Sequence, residues 1–318
     1  MSANKRRVLA LSGGIGGAKL ALGLSRVLAP GELTVIANTG DDFEHLGLAI
    51  SPDLDTVMYT LAGLANPETG WGRRDETWTF MNALRQLGGE AWFQLGDGDL
   101  ATHVERTRRL KAGEALSAIT TDFCRRLGID AEILPMSDDK LRTRLRTADG
   151  LLDFQDYFVG KHCEPVVEQI VFEGADAACP LPGFIAALAD PNLRAVVICP
   201  SNPYISIDPI LALPGVRQAL IDCTAPVIAV SPIIGGKAVK GPTAKLMLEM
   251  SIEPTALVAA EHYRELLDGY VIDNEDAASA RRLDLPTFPA QTLMTTLADR
   301  EALALHVLAS AYSIGGRP

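Results

Sequence analysis

The strongest constraint on this chain lies at its amino end. Val8-Leu9-Ala10-Leu11 is a short apolar run, Ser12-Gly13-Gly14-Ile15-Gly16-Gly17 follows it, Ala18 to Leu28 carries apolar residues at helical spacing, and Leu33-Thr34-Val35-Ile36-Ala37 is a second apolar run. Strand, glycine loop, helix and strand within about 30 residues form a βαβ unit, which joins two parallel strands by a right-handed crossover. Parallel sheets are covered on both faces, so their strands read as continuous apolar runs rather than alternating ones. The expected fold is therefore α/β: a Rossmann-like, doubly wound, mostly parallel sheet.

Later runs extend this reading. Arg194 to Cys199 and Pro226 to Val230 look like further buried strands, and each ends in a turn-rich loop, Pro200-Ser201-Asn202-Pro203 and Ser231-Pro232-Ile233-Ile234-Gly235-Gly236. Loops at the carboxyl ends of parallel strands are where such sheets bind ligands. The middle of the chain differs. It is charged and helical in pattern from about Asp97 to Leu127, then breaks into short alternating segments from about Ala131 to Val171. We read 1–96 and 166–318 as the α/β core and 97–165 as a helical and mixed insertion. Gln291 to Ala311 has the pattern of a final amphipathic helix on the sheet.

Composition narrows the function classes. With 47% hydrophobic residues among 318 and 22% charged, the chain can bury a full core. A formal net charge of −11 argues against a nucleic-acid surface or an anionic membrane face. The five cysteines are odd in number and form no CxxC pair, so reduced thiols in a cytoplasmic protein are the plain reading. The basic Lys5-Arg6-Arg7 precedes an apolar run too short for a signal peptide, and no run approaches the ~18 apolar residues of a membrane span.

Four motifs carry chemistry. The glycine loop lets the backbone approach a phosphate, and the following helix start offers free N–H groups. It matches neither the P-loop, since Ala18 and Leu20 break that pattern, nor the dinucleotide fingerprint, since Lys19 stands at the last glycine. Lys19 either reaches a phosphate or faces solvent. Next, Asn38-Thr39-Gly40-Asp41-Asp42 follows the second strand, and Ser51-Pro52-Asp53-Leu54-Asp55-Thr56 opens a helix. Four carboxylates beside a diphosphate call for a cation, and Mg2+ fits; alternatively Asp53 serves the helix start and Asp41 and Asp42 the turn. Ser201 and Asn202 are either ligand donors or helix caps. In Gly96-Asp97-Gly98-Asp99-Leu100-Ala101-Thr102-His103, Asp99 is expected to cap a helix whose first turn holds His103.

Together with Leu134-Pro135-Met136-Ser137-Asp138-Asp139, these segments fall in the order found in the 2-phospho-L-lactate transferases, which the chain resembles over nearly its whole length. That resemblance implies a step of coenzyme F420 biosynthesis. A phosphorylated three-carbon acid passes from a guanosine diphosphate donor to the deazaflavin Fo, and GMP leaves. It implies a Mg2+-dependent homodimeric enzyme with Asp41 and Asp55 in catalysis and Asp41, Asp53 and Asp55 as metal ligands. Gly13, Gly14, Gly16, Gly17, Lys19, Asn38, Asp42, Thr56, His103, Ser201 and Asn202 would contact substrates, with the 97–165 insertion over the acceptor. Asp41 and Asp55 are expected to be partly exposed, so that alanine there removes turnover at little cost in stability. One departure stands out: Gly98 replaces the arginine usual in the family, so a positive or planar contact to the acceptor is either missing or supplied by Arg73 or Arg74. The alternative is a YvcK-like protein, a nucleotide-sugar-binding regulator without transferase activity. An NAD-dependent oxidoreductase is disfavoured by Lys19.

Overall fold

The computed structural model describes residues 7–238 and 241–315. Seven strands form one parallel sheet in the order Thr287–Ala290, Gly269–Asp273, Val227–Val230, Leu193–Ile198, Arg7–Ser12, Leu33–Ala37 and Glu132–Pro135. The chain starts in the middle of the sheet and winds outward both ways, which makes it doubly wound. The strand order reverses between Arg7–Ser12 and Leu193–Ile198, and that is where such sheets open a ligand crevice.

The first strand shows why its run is apolar throughout. Leu9 and Leu11 pack into the core on one face of the sheet, and Val8 and Ala10 into the core on the other; all four are fully buried. Helices Gly14–Val27, Pro52–Leu61, Leu116–Arg126 and Leu297–Ile314 cover the second face. Helices Pro182–Leu188, Val216–Ile221 and Ala256–His262 cover the first. The closing helix starts at Leu297, later than the Gln291 read from apolar spacing. Thr296 and Asp299 fix that start with a reciprocal capping box.

Within 97–165, Glu132–Pro135 pairs in parallel with Leu33–Ala37 as an edge strand of the main sheet. The range read as one insertion therefore divides around it. One part is the helix pair Asp97–Lys111 and Leu116–Arg126; the other is a small antiparallel sheet of Gly150–Asp153, Arg142–Thr147 and Gln169–Glu173 that runs past 165. A π-helical turn, Asp156–Gly160, follows the strand Gly150–Asp153. A hairpin of Phe43–His45 and Leu48–Ile50 links the second strand to helix Pro52–Leu61. Among the described residues no helix is long and apolar enough to cross a membrane.

Candidate active site

A cleft of about 730 Å³ opens at the carboxyl ends of the central strands. Its floor is the glycine loop. Gly13 is extended and Gly14, at φ +63°, turns the chain into helix Gly14–Val27. Three of the glycines are needed for packing against the protein itself. A Cβ on Gly13 would lie 2.6 Å from an Asp53 carboxylate oxygen, one on Gly17 would lie 2.5 Å from the hydroxyls of Ser12 and Ser201, and one on Gly16 would run into the Pro200 carbonyl oxygen. The loop, Asp53 and the Pro200–Ser206 segment thus nest. Ser201 stitches them, its hydroxyl accepting from the Gly13 N–H at 3.1 Å and donating to the Gly13 carbonyl at 2.8 Å.

Above the loop sits the acidic pair. The Asn38 side-chain amide donates to Asp41 Oδ1 and to Asp53 Oδ2, both at 2.9 Å, and its oxygen accepts from the Gly40 N–H at 2.8 Å. The remaining oxygen of Asp53 accepts from the Gly14 N–H at 2.6 Å, so Asp53 caps the glycine-loop helix as well as starting its own. Burial, then the neighbouring charge of Asp53, holds the Asp41 carboxyl well above the usual carboxylate range. Burial pushes Asp53 up to about 6 against the pull of the Asn38 and Gly14 hydrogen bonds. Asp42 is pushed up to about 7, again by burial, against Arg142 and the Ser51 hydroxyl.

Asp55 is placed differently. Both of its oxygens are bound by the fork of Arg106, Nη1 to Oδ2 at 2.9 Å and Nη2 to Oδ1. His103 Nδ1 lies 3.7 Å from Asp55 Oδ2, and His103 Nε2 lies 3.2 Å from Asp99 Oδ1, which accepts the Tyr59 hydroxyl at 2.7 Å. The result is a polar seam between helices Pro52–Leu61 and Asp97–Lys111. Two expectations are corrected here. Asp41 and Asp55 are buried, 7% and 4% exposed, Asp41 beside the Asn38 amide and Asp55 beneath the Arg106 fork. Asp99 does not cap its helix; Gly96 holds that position, Glu76 takes the free N–H groups of Gly98 and Asp99 at 2.7 Å, and Asp99 turns inward.

Of the residues singled out in the sequence, Gly13, Gly14, Gly16, Lys19, Asp41, Asp53, Asp55, Thr56, His103, Ser201 and Asn202 line the cleft. Gly17, Asn38 and Asp42 stand behind its wall. Lys19 donates to the Met294 carbonyl at 2.8 Å. Asn202 caps the Tyr204 N–H through Oδ1 at 3.0 Å, while its Nδ2 is buried without a hydrogen-bond partner among the described residues. Beside Gly98 stands Arg73, whose Nη1 donates to the Gly98 carbonyl at 3.4 Å and whose guanidinium lies 5.6 Å from the Tyr59 ring centre. Arg74 pairs instead with exposed Asp75.

Sequence reading missed the aromatic mouth and Arg106. Trp71, Trp92, Phe93, Phe154 and Phe158 line the outer cleft, and Phe154 and Phe158 stack at 5.5 Å. These rings come from three separate segments, around Trp71, Trp92–Phe93 and Phe154–Phe158, so no local pattern joins them. Arg106 was within reach. Asp99, His103 and Arg106 are spaced four and three apart, which puts them on one helix face.

Among the described residues no three His, Cys, Asp or Glu side chains are grouped as a ready metal site. The Asp41 and Asp53 carboxylates, which share only a neutral amide, nonetheless offer the hard oxygen donors that Mg2+ takes in ones and twos alongside phosphate. Asp55 already has a cation in Arg106.

A family model described as 2-phospho-L-lactate transferase CofD matches residues 8–309. The chain belongs to the CofD family. Among CofD relatives, a phosphoenolpyruvate transferase of Kitasatospora aureofaciens is 42% identical over 94% of this chain and 94% of its own length. A 2-phospho-L-lactate transferase of Methanosarcina acetivorans is 40% identical over 95% of this chain and 98% of its own. In three dimensions the CofD chain resembles a UPF0052-family protein of Bacillus halodurans, with a TM-score of 0.64 and 15% identity over 96% of this chain and 99% of that one; this shows a shared fold.

Proposed function

We propose that this chain transfers a phosphorylated three-carbon acid, of the phosphoenolpyruvate or 2-phospholactate type, from a guanosine diphosphate donor to Fo, releasing GMP in coenzyme F420 biosynthesis. Family membership supports the reaction class. The observation that carries the reading is the pair Asp41 and Asp53, two buried carboxylates that form no ion pair among the described residues, set against a helix start and beneath an aromatic mouth.

The diphosphate lies along the helix start, where Ile15 and Gly16 line the cleft and first-turn amides lack intrahelical acceptors. Asp41 and Asp53 hold Mg2+, which when bound supplies charge neutralisation to the diphosphate. The planar deazaflavin lies between the Trp92–Phe93 and Phe154–Phe158 walls. Asp55 accepts a hydrogen bond from the terminal ribityl hydroxyl of Fo. That oxygen forms a bond to the phosphorus bearing the three-carbon unit, the bond from that phosphorus to the GMP oxygen breaks, and the hydroxyl proton passes to Asp55. Positioning and charge neutralisation account for most of such a transfer, and no covalent enzyme intermediate is required. The Asn202 amide, with its unpaired Nδ2, offers a further donor to the donor substrate. The enzyme works as a cytoplasmic homodimer.

Titration with Fo, which fluoresces, tests this reading against a nucleotide-sugar-binding regulator. Saturable binding at micromolar Fo supports the transferase; a chain that binds a nucleotide sugar and ignores Fo contradicts it.

A further inference from the structure

We infer that Arg106, which lies behind the cleft wall, is the positioning residue for Asp55 and sets the direction in which that carboxylate meets the acceptor hydroxyl. The inference rests on the transferase reading above and adds a residue to it.

Arg106 is the largest fully buried side chain of the described residues. Its two terminal nitrogens grip the two oxygens of Asp55, while Nη1 also lies 3.4 Å from the Ala49 carbonyl and from His103 Nδ1. Its Nε is buried with no hydrogen-bond partner among the described residues. A pair kept for stability alone would be a poor choice here. Burying two charges costs more than apolar residues of the same volume would, and an unpaired buried N–H adds to that cost. What the pair provides is geometry. A planar fork on both oxygens fixes the rotation of the carboxylate about its own axis, which a point-charge ammonium cannot do. The outer lone pairs of Asp55 are then left for the cleft and for His103, 3.7 Å away.

The surrounding seam holds the fork in turn. Asp99, His103 and Arg106 share one face of helix Asp97–Lys111 and meet Asp55 and Tyr59, which share one face of helix Pro52–Leu61. Ala49, the residue whose carbonyl lies beside Arg106, has its N–H bound by the Thr107 hydroxyl at 2.8 Å, so the same helix also fixes the hairpin that leads into Asp55.

The test uses the full chain with Fo, donor and Mg2+, and three variants. Arg106→Lys keeps the charge and loses the fork. It should melt close to the wild type and keep the KM for Fo and the Mn2+ affinity, read by electron paramagnetic resonance, within about 3-fold, while kcat falls about 100-fold, the scale of a misplaced reacting group. Arg106→Ala, where it folds, should regain kcat with added guanidinium and not with an alkylammonium. The double variant Asp55→Leu/Arg106→Met should fold at least as stably as the wild type and give no product. Wild-type kcat in Arg106→Lys, or a loss of kcat that follows the loss of melting temperature across all three, would overturn the inference and leave the transferase reading standing. A wild-type protein that forms no product from Fo would instead sink the reading of the cleft and this inference with it.

Discussion

One amide nitrogen of Asn38 lies 2.9 Å from a carboxylate oxygen of Asp41 and the same distance from one of Asp53. Two acids held this close by a neutral donor repel unless a proton or a cation lies between them. Replacing Asn38 with Ala leaves both carboxylates and the Gly40 N–H short of a partner, at about 1–3 kcal/mol for each buried group left unpaired. Urea unfolding of Asn38→Ala in chelator should show that loss, and Asp41→Asn should unfold later than the wild type under the same conditions while losing transfer.

Asp55 behaves oppositely. Asp55→Ala strands the buried guanidinium of Arg106, and breaking a buried pair from one side costs about 3–5 kcal/mol. Thermal melting should therefore report a clear loss for Asp55→Ala that Asp55→Leu combined with Arg106→Met does not share.

Stability should depend on pH through Asp42. Its folded value, about 7, lies above its ordinary 3.8, so the folded state binds the proton more tightly than the unfolded chain does. Its contribution is complete below about pH 4 and is lost as pH rises through about 7. Asp42→Asn keeps an acceptor for the Ser51 hydroxyl and removes the titration. The variant should match the wild type at pH 4 and exceed it by roughly 1–4 kcal/mol at pH 8 in chelator, by urea unfolding at each pH. An equal difference at both ends would place the charge elsewhere.

The aromatic mouth should matter to the acceptor alone. Trp92→Ala or Phe158→Ala removes one ring from the cleft wall, and ring contacts contribute about 0.5–1.5 kcal/mol beyond burial. The KM for Fo should rise about 2- to 10-fold, beyond what lost area adds, with the donor KM unchanged in steady-state assays.

What could be read from the chain itself was whatever is local. The βαβ unit, the later buried strands and most of the cleft residues follow from runs and loops contiguous in sequence, because a parallel strand and its loop are one segment, whereas the switch point depends on Arg7–Ser12 pairing with the distant Leu193–Ile198. Asp99 was misplaced because Glu76, 23 residues earlier, supplies the cap that local spacing would assign to it. Glu132–Pro135 resembled part of an insertion because its partner strand lies about a hundred residues before it. A glycine loop at the first βα junction suggests room for phosphate, but Gly16 and Gly17 make room for Pro200 and Ser201. Only the folded chain brings those segments together.

The most direct measurement mixes the protein with Fo, Mg2+ and guanosine diphosphate donors carrying enolpyruvyl, lactyl or phosphoglyceryl groups, and identifies products by mass. The expected result is Fo bearing the phosphorylated three-carbon acid with one GMP per product, lost on chelation and in Asp41→Asn. Fo recovered unchanged beside intact donor, or a product formed without GMP, would contradict the account.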